Sequence, residues 1–115
     1  MRIAIDFDGT CVENAYPGIG EEMPYCSQVL RDLQKKHTLF LYTARQGDRL
    51  DEAKQWFKDR KIDIIHTFAK PGADVYIDDK AINGIPKKMQ KIDWLMIQAI
   101  IEHNSFVNSE YSRFQ

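Results

Sequence analysis

Residues 1–10 read MRIAIDFDGT, an apolar stretch that runs directly into a pair of aspartates. The apolar part predicts a short buried strand, and the two carboxylates lie where that strand ends. Because side chains two positions apart on an extended chain face the same way, Asp6 and Asp8 can converge on one point. Gly9 allows the backbone to turn and present N–H groups. Like charges this close need a compensating cation, proton or hydrogen bonds, so the stretch favours a site that holds a metal ion and a phosphate.

The composition limits the function classes. The chain has 115 residues, 43% of them hydrophobic and 29% charged, which suits one soluble domain with a single core. The formal net charge of −1 gives no overall attraction to nucleic acid or to an anionic membrane. No apolar run approaches the roughly 20 residues of a membrane span, and the first residues show no signal-peptide pattern, so we expect a cytoplasmic protein. Cys11 and Cys26 are too few for a disulfide scaffold and are predicted to be buried thiols.

Strand-like and helix-like apolar periods alternate along the chain. They predict strands at 1–5, 38–43, 62–66 and 75–77, and helices over about 24–36, 48–60 and 92–101. Asp48 is the expected N-cap of the second helix. The alternation predicts an α/β fold in which a parallel sheet is covered on both faces and binds ligands beyond the carboxyl ends of its strands. We expect one domain over 1–103, followed by a polar tail over 104–115 that is a candidate flexible segment.

Polar residues fall at or near several of these predicted strand ends. They are Asp6 and Asp8, Thr43, Lys70, and the pair Asp78 and Asp79. Each has an ordinary structural explanation, since a Thr often simply ends a strand, an Asp pair can form a turn, and a surface Lys is usually only solvated. The joint occurrence is informative, because independent accidents are not expected to place acids, a hydroxyl and an ammonium on one rim.

Four ordered segments carry a resemblance to a known family. They are DFDGT at 6–10, LYTAR at 41–45, KP at 70–71 and YIDDK at 76–80. Together they resemble the motifs of the haloacid dehalogenase superfamily of phosphohydrolases, over a span from Met1 to about Ile82. The resemblance implies a three-layer Rossmann-like parallel sheet, an obligatory Mg²⁺ ion and a phosphatase that forms an aspartyl-phosphate intermediate.

The resemblance also implies a role for each residue. Asp6 would be the nucleophile and Asp8 the general acid and base, while Thr43 and Lys70 would hold the phosphate. The expected substrate-binding residues are Gly9, Thr10, Thr43, Ala44, Arg45 and Lys70. The expected metal ligands are Asp6, Asp8, Asp78 and Asp79, the last of which would act through water or orient its neighbour. Lys80 is an alternative to Lys70.

Phosphoryl transfer independently requires these residue types. A carboxylate that attacks a phosphate dianion meets charge repulsion, so a hard cation such as Mg²⁺ is needed between them. The transition state is loose and in line, so catalysis depends mostly on positioning and electrostatic stabilisation. An ammonium, a hydroxyl and loop N–H groups supply that stabilisation.

The spacing of the four segments leaves no room for a cap domain, so we expect an open site. In capless relatives an open site goes with a macromolecular phosphate or with a neighbouring subunit that acts as a lid, so a homo-oligomer is one alternative. Acidic residues in the loop over 12–23 disfavour a nucleic acid at the entrance. Tyr16 is a candidate contact for a sugar or an aromatic ring. Arg45 is either a binder of a second anionic group or an ordinary surface residue.

Two functions from other classes stay open. A signalling receiver domain also joins acids, Thr, Lys and Mg²⁺ around a phosphorylated Asp, but it carries its acidic pair early, whereas Asp78 and Asp79 come late. A noncatalytic or assembly role on the same scaffold is the second alternative. Every expected catalytic residue type is present, which favours an enzyme that hydrolyses a phosphorylated substrate.

Overall fold

The computed structural model describes residues 1–69, 71–78, 81–82, 85–86 and 92–112, and it describes 81–82, 85–86 and 104–112 through their backbone alone. The strands are β1 (Arg2–Ile5), β2 (Thr38–Leu41), β3 (Ile65–His66), β4 (Val75–Ile77), β5 (Ala81–Ile82) and β6 (Ile85–Pro86). The helices are α1 (Cys26–Leu33), α2 (Gly47–Asp59) and α3 (Trp94–Ser112).

One sheet contains all of these strands, in the order β3-β2-β1-β4-β5-β6. The first four run parallel, and β5 and β6 add an antiparallel extension beside β4. The α/β class predicted from the sequence is confirmed, although the prediction of an all-parallel sheet missed this extension. Only a loop and α1 separate β1 from β2. In the parts of the chain that are described, no inserted cap domain is present.

The central strand β1 is buried because it has a neighbour on each side and apolar residues on both faces. Ile3, Ala4 and Ile5 are each at most 2% exposed, as expected for a parallel strand covered on both faces. Ile5 pairs with Leu41 of β2 and with Ile77 of β4. This register places the carboxyl ends of three strands side by side, which is where the polar residues of the sequence are found.

Several element boundaries differ from the predicted ones. The helix predicted from residue 24 begins at Cys26, because Tyr25 adopts the left-handed backbone region at φ 66°. It ends at Leu33, and the N–H groups of Lys35 and Lys36 then bond to carbonyls three residues back, as in a tightening last turn. The strand predicted to reach residue 43 ends at Leu41. The strand predicted over 62–66 is reduced to the two residues of β3.

The two later helices also depart from the prediction. Asp48 is not the N-cap of α2; Gln46 holds that position, and Asp48 lies in the first turn. There its carboxylate is favourably placed near the positive end of the helix dipole. α3 continues to Ser112, so residues 104–112 of the predicted tail are helical. None of the helices within the described residues is long and apolar enough to cross a membrane.

An aromatic cluster holds the segment after β1 against α2. Phe7 is fully buried, and its ring centroid lies 5.5 Å from that of Trp56 and 5.6 Å from that of Phe57. These separations suit edge-to-face and tilted aromatic packing. Because Phe7 points into this cluster, the side chains of Asp6 and Asp8 are directed away from it, as alternation along an extended chain requires.

α3 fixes the turn that follows the two aspartates. The indole Nε1 of Trp94 donates a hydrogen bond of 2.9 Å to the carbonyl oxygen of Thr10, and both residues are buried. Cys11 and Cys26 are buried free thiols, as predicted. Burial raises the pKa of the Cys11 thiol, and the neighbouring Cys26 adds to the effect. Cys11 therefore behaves as a small apolar residue beneath this turn.

Glu22 connects the start of α1 to the end of α2. One carboxylate oxygen accepts a 3.0 Å hydrogen bond from the Ser27 N–H, and the other lies 2.9 Å from Nε of Arg60. Burial acts to raise the pKa of Glu22, but these bonds from Ser27 and Arg60 hold it below its ordinary value. A carboxyl whose pKa is lower in the folded chain stabilises the fold above its unfolded pKa and loses that contribution as the pH falls through the folded value.

Glu22→Gln is therefore expected to make the free energy of unfolding less dependent on pH in the acidic range. Between about pH 5 and pH 3, where a Glu of lowered pKa becomes protonated, the wild-type free energy of unfolding should fall more steeply than that of the variant. Urea unfolding followed by circular dichroism at several pH values measures this. Glu21→Gln, at the exposed neighbouring position, should follow the wild-type curve. Parallel curves for wild type and Glu22→Gln would contradict the assignment.

Candidate active site

A cavity of about 570 Å³ lies at the carboxyl ends of β1 to β4. The strand ends supply most of its wall, as the sequence predicted for a ligand site on a parallel sheet. Its lining residues are Asp6, Tyr42, Thr43, Ala44, Arg45, Gln46, His66, Phe68 and Asp78. The cavity therefore collects residues from four strands that are far apart in the sequence.

Asp6 and Asp78 form the acidic end of this cavity. Each follows directly after a residue of the paired register, Ile5 in β1 and Ile77 in β4. The Asp6 N–H donates a 3.0 Å hydrogen bond to the Ile77 carbonyl, so the pairing of the two strands continues to this point. Both side chains are partly exposed and also share a second cavity of about 140 Å³. Sheet topology thus brings together two carboxylates from opposite halves of the chain.

The acidic end suits Mg²⁺ better than a transition metal. Asp6 and Asp78 offer hard carboxylate oxygens, and Mg²⁺ is bound in many enzymes by one or two carboxylates while it retains several waters. Within the described residues, no group of three or more His, Cys, Asp or Glu side chains could hold a metal by themselves. A site that needs few protein ligands is compatible with this arrangement, whereas a closed structural zinc site is not.

Asp8 is bound by a buried arginine instead of lining the cavity. Nε and Nη2 of Arg45 each donate a 2.7 Å hydrogen bond to a different carboxylate oxygen of Asp8. The Arg45 side chain is 1% exposed and that of Asp8 is 18% exposed. This is the two-pronged geometry in which arginine binds a carboxylate most strongly. The hydrogen bond to Asp8 is the main reason that the pKa of Arg45 is raised.

Arg45 also fixes the loop between β1 and α1. Nη2 donates a 2.6 Å hydrogen bond to the Gly18 carbonyl, and Nη1 lies 3.3 Å from the Pro17 carbonyl. Its guanidinium carbon lies 5.1 Å from the ring centroid of Tyr16, within the range of a cation–π contact. The sequence suggested a binder of a second anion or a surface residue. The alternative of an ordinary surface residue is wrong, because the guanidinium is buried and bonded to Asp8. Arg45 also lines the cavity, so its role as a binder of an anionic group stays a prediction.

The remaining predicted substrate-binding residues divide into two groups. Thr43 and Ala44 line the cavity. The Thr43 hydroxyl accepts a hydrogen bond of 3.2 Å from the Arg45 N–H, and because a hydroxyl can accept and donate at once, its proton stays available for a ligand.

Gly9 and Thr10 are not part of the cavity wall. Their N–H groups donate to the carbonyls of Val12 and Phe7 within the turn, and the Thr10 side chain is fully buried. Gly9 has a φ of 83°, which explains why glycine is required there. Three predicted residues lie outside the described part of the chain, namely Lys70, its alternative Lys80, and Asp79.

One side of the cavity is formed by residues that were not predicted from the sequence. Tyr42, His66 and Phe68 line it together with Gln46. The His66 and Phe68 rings meet edge to face with centroids 4.5 Å apart. Burial lowers the pKa of His66, and Lys54 lowers it further. Their position directly after β2 and at the end of β3 was the available indication, because side chains at those strand ends share one rim with Asp6.

Comparison with known proteins identifies a relative of nearly the same length. The chain is similar to a conserved protein from Bacteroides thetaiotaomicron of known structure, with 40% sequence identity and a TM-score of 0.76. The match covers 90% of this chain and 91% of that one. No protein-family model and no curated protein matches the sequence. The two proteins therefore share almost the whole fold, not a single motif.

Proposed function

This chain belongs to the same protein family as the conserved protein of Bacteroides thetaiotaomicron, and we propose that it is a Mg²⁺-dependent phosphatase acting on a phosphate monoester. We further propose that its sheet and helices form the three-layer Rossmann-like fold of the haloacid dehalogenase superfamily. The observation that supports this most strongly is the shared cavity of Asp6 and Asp78. Two carboxylates that line one cavity at neighbouring strand ends offer the hard oxygen ligands that Mg²⁺ takes in proteins.

In the proposed reaction, Asp6 acts as a nucleophile. A carboxylate oxygen of Asp6 attacks phosphorus while the bond from phosphorus to the ester oxygen breaks, and the leaving oxygen takes a proton from Asp8. A water molecule then gives a proton to Asp8 and attacks the phosphorus of phosphorylated Asp6. This step releases inorganic phosphate and restores the carboxylate. Mg²⁺ held by Asp6 and Asp78 would reduce the repulsion between the attacking carboxylate and the phosphate.

The remaining residues of the cavity position the phosphate. Thr43 and the exposed residue Ala44 follow the neighbouring strand β2 and line the cavity together with Asp6. A hydroxyl in this position can donate to a phosphate oxygen as negative charge develops there. Because phosphoryl transfer depends mainly on positioning, a few such donors are sufficient for a large acceleration.

Asp8 can exchange protons only after its contact with Arg45 changes. Both of its oxygens accept hydrogen bonds from the guanidinium, so Asp8 is a carboxylate in this arrangement. At least one of these bonds has to be released, and the freed oxygen has to take up a proton from solvent, before Asp8 can donate to a leaving oxygen. Arg45 keeps Asp8 beside the cavity in the meantime and so acts as a positioning residue.

The test of this function is metal-dependent hydrolysis of p-nitrophenyl phosphate. We expect release of p-nitrophenol with Mg²⁺, loss of that release when EDTA removes the metal, and recovery when Mg²⁺ is restored. Equal rates with Mg²⁺ and with EDTA would contradict the metal site. Stable labelling of the protein by acetyl phosphate without turnover would instead support a receiver-like signalling module.

A further inference from the structure

The wall of the cavity changes in chemical character from one end to the other. Asp6 and Asp78 follow β1 and β4 at the acidic end, and Thr43 follows β2 in the middle. The far end, at β3, is formed by His66 and Phe68. Because these strands are neighbours in the order β4-β1-β2-β3, the polar and aromatic groups are arranged along one line.

Strand spacing sets the distance between the two ends. Neighbouring strands lie about 4.8 Å apart, so the end of β3 lies on the order of 10 Å from the end of β1. A ring bonded directly to a phosphate does not bridge this distance. A ring joined to the phosphate through a sugar-sized linker does, with the linker passing Tyr42 and Thr43 directly after β2.

Phe68 has the properties of a stacking surface. It is 88% exposed although it lines a cavity, and Tyr42 in the same cavity wall is 40% exposed. Apolar rings left in water gain free energy when another flat ring covers them. The edge-to-face contact with His66 supports the Phe68 ring from one side. The lowered pKa of His66 favours its neutral form, which suits a stacking neighbour better than an anion-binding one.

Within the described residues, the cavity wall offers no uncommitted cationic side chain to a second anionic group. Lys54, which lowers the pKa of His66, is not part of that wall. Among the described lining residues, Arg45 carries the only guanidinium or ammonium, and it is committed to Asp8 and to the loop carbonyls. Gln46 offers an amide that can both donate and accept. These groups match the edge of a neutral, hydrogen-bonding ring.

We propose that the substrate is a phosphomonoester whose alcohol carries a flat heteroaromatic ring one sugar-sized linker from the phosphate, as in a nucleoside monophosphate, with the ring stacked on Phe68. This inference rests on the proposed function, because it assigns the substrate class of the same site. The phosphate would lie at Asp6 and the ring at the β3 end of the cavity.

The test compares esters that share a phosphate and a ribose and differ in the ring. We expect kcat/KM with Mg²⁺ to be about tenfold higher for the best of AMP, GMP, CMP and UMP than for ribose 5-phosphate, the size of effect that one stacked base contributes. O-phosphotyrosine, whose ring is bonded directly to the phosphate, should show no such gain. Phe68→Ala should reduce the ratio of nucleotide to ribose 5-phosphate to near one.

Ile65→Ala is the matched control, because Ile65 is an exposed apolar residue of β3 that lies outside this cavity. It should keep the wild-type ratio. Equal kcat/KM for all four nucleotides and ribose 5-phosphate, or a ratio that Phe68→Ala leaves intact, would overturn the proposal. A preference for O-phosphotyrosine over the nucleotides would also overturn it, since the linker would then be absent.

A binding measurement separates failure of this inference from failure of the proposed function. Asp6→Asn, expected to lack turnover, can be titrated with the same nucleotides and with ribose 5-phosphate by calorimetry. If nucleotides bind more tightly than ribose 5-phosphate and Phe68→Ala removes the difference, the stacked ring is supported. If, in addition, the wild-type protein hydrolyses none of the esters, the proposed phosphatase function is wrong and the proposed ring site is not. Equal affinity for the nucleotides and ribose 5-phosphate overturns the stacked ring.

Discussion

Replacing Asp6 with Asn is expected to reduce phosphate release from p-nitrophenyl phosphate by at least ~10³-fold, because the variant lacks the carboxylate that we propose as the nucleophile. The amide keeps the size of the carboxylate but has little tendency to attack phosphorus. It also removes one of the two negative charges that would hold Mg²⁺ with Asp78. Initial rates at saturating Mg²⁺ measure the loss, and circular dichroism shows whether the variant is folded.

The control for this variant is Asp63→Asn. Asp63 is exposed and lines a separate cavity beside Thr38 and Ile65, away from the acidic end at Asp6. Asp63→Asn makes the same chemical change outside the proposed site, so its rate of phosphate release should match that of the wild type. If folded Asp6→Asn retained a rate within tenfold of Asp63→Asn, Asp6 would not be the nucleophile.

The local sequence was sufficient to predict the central strands and the acidic end of the cavity. β1 has apolar residues on both faces, which marks a covered parallel strand, and the aspartates follow it directly. In a parallel sheet the carboxyl ends meet on one edge, so a strand-then-acid pattern at Asp6 and again at Asp78 predicts a shared site without knowledge of the fold in detail. Both residues line the same cavity.

Elements of two residues could not be predicted in the same way. β5 and β6 are too short to show a period, and they exist because β4 offers an edge on which a hairpin can pair. The extent of α3 was also underestimated, since its polar final turns show no apolar stripe. Their helical backbone continues from the buried turns around Ile97 and Ile101.

The position of Arg45 depended on tertiary contacts that a local pattern does not contain. The carbonyls of Pro17 and Gly18 reach its guanidinium only because the loop after β1 folds back over the strand ends. Asp8 is 37 positions away in the sequence. The aromatic side of the cavity was missed for a related reason. His66 ends a short strand and Phe68 lies in the loop after it, and nothing in their local sequence marks them as part of a site. The strand order of the sheet places them in the same cavity wall as Asp6.

The pairing of Asp8 with Arg45 leads to a large expected loss of stability in Arg45→Met. The substitution leaves a mostly buried carboxylate without its cation and removes the hydrogen bonds to the carbonyls of Pro17 and Gly18. Removing one partner of a buried pair typically costs about 3 to 5 kcal/mol, and we expect a loss near the lower bound because Asp8 is 18% exposed. Urea unfolding at pH 7 measures it.

Arg49→Met is the comparison for this effect. Arg49 and Glu52 are 3.2 Å apart, but their side chains are 46% and 44% exposed. An exposed pair of this kind contributes at most about 1 kcal/mol. If Arg49→Met and Arg45→Met lost equal stability, burial would not be the source of the effect at Arg45.

A double-mutant cycle separates the ion pair from the anchoring of the loop. Asp8→Asn with Arg45→Met should lose less stability than the sum of the single variants, because the double variant leaves neither a buried carboxylate nor a buried guanidinium unpaired. The double variant still lacks the hydrogen bonds from Arg45 to the carbonyls of Pro17 and Gly18. Its free energy of unfolding should therefore stay below that of the wild type. A strictly additive cycle would show that Arg45 stabilises the loop alone. Non-additivity would instead mean that Asp8 is held beside the cavity by its ion pair with Arg45, from which one of its oxygens has to be released for the proposed proton transfer.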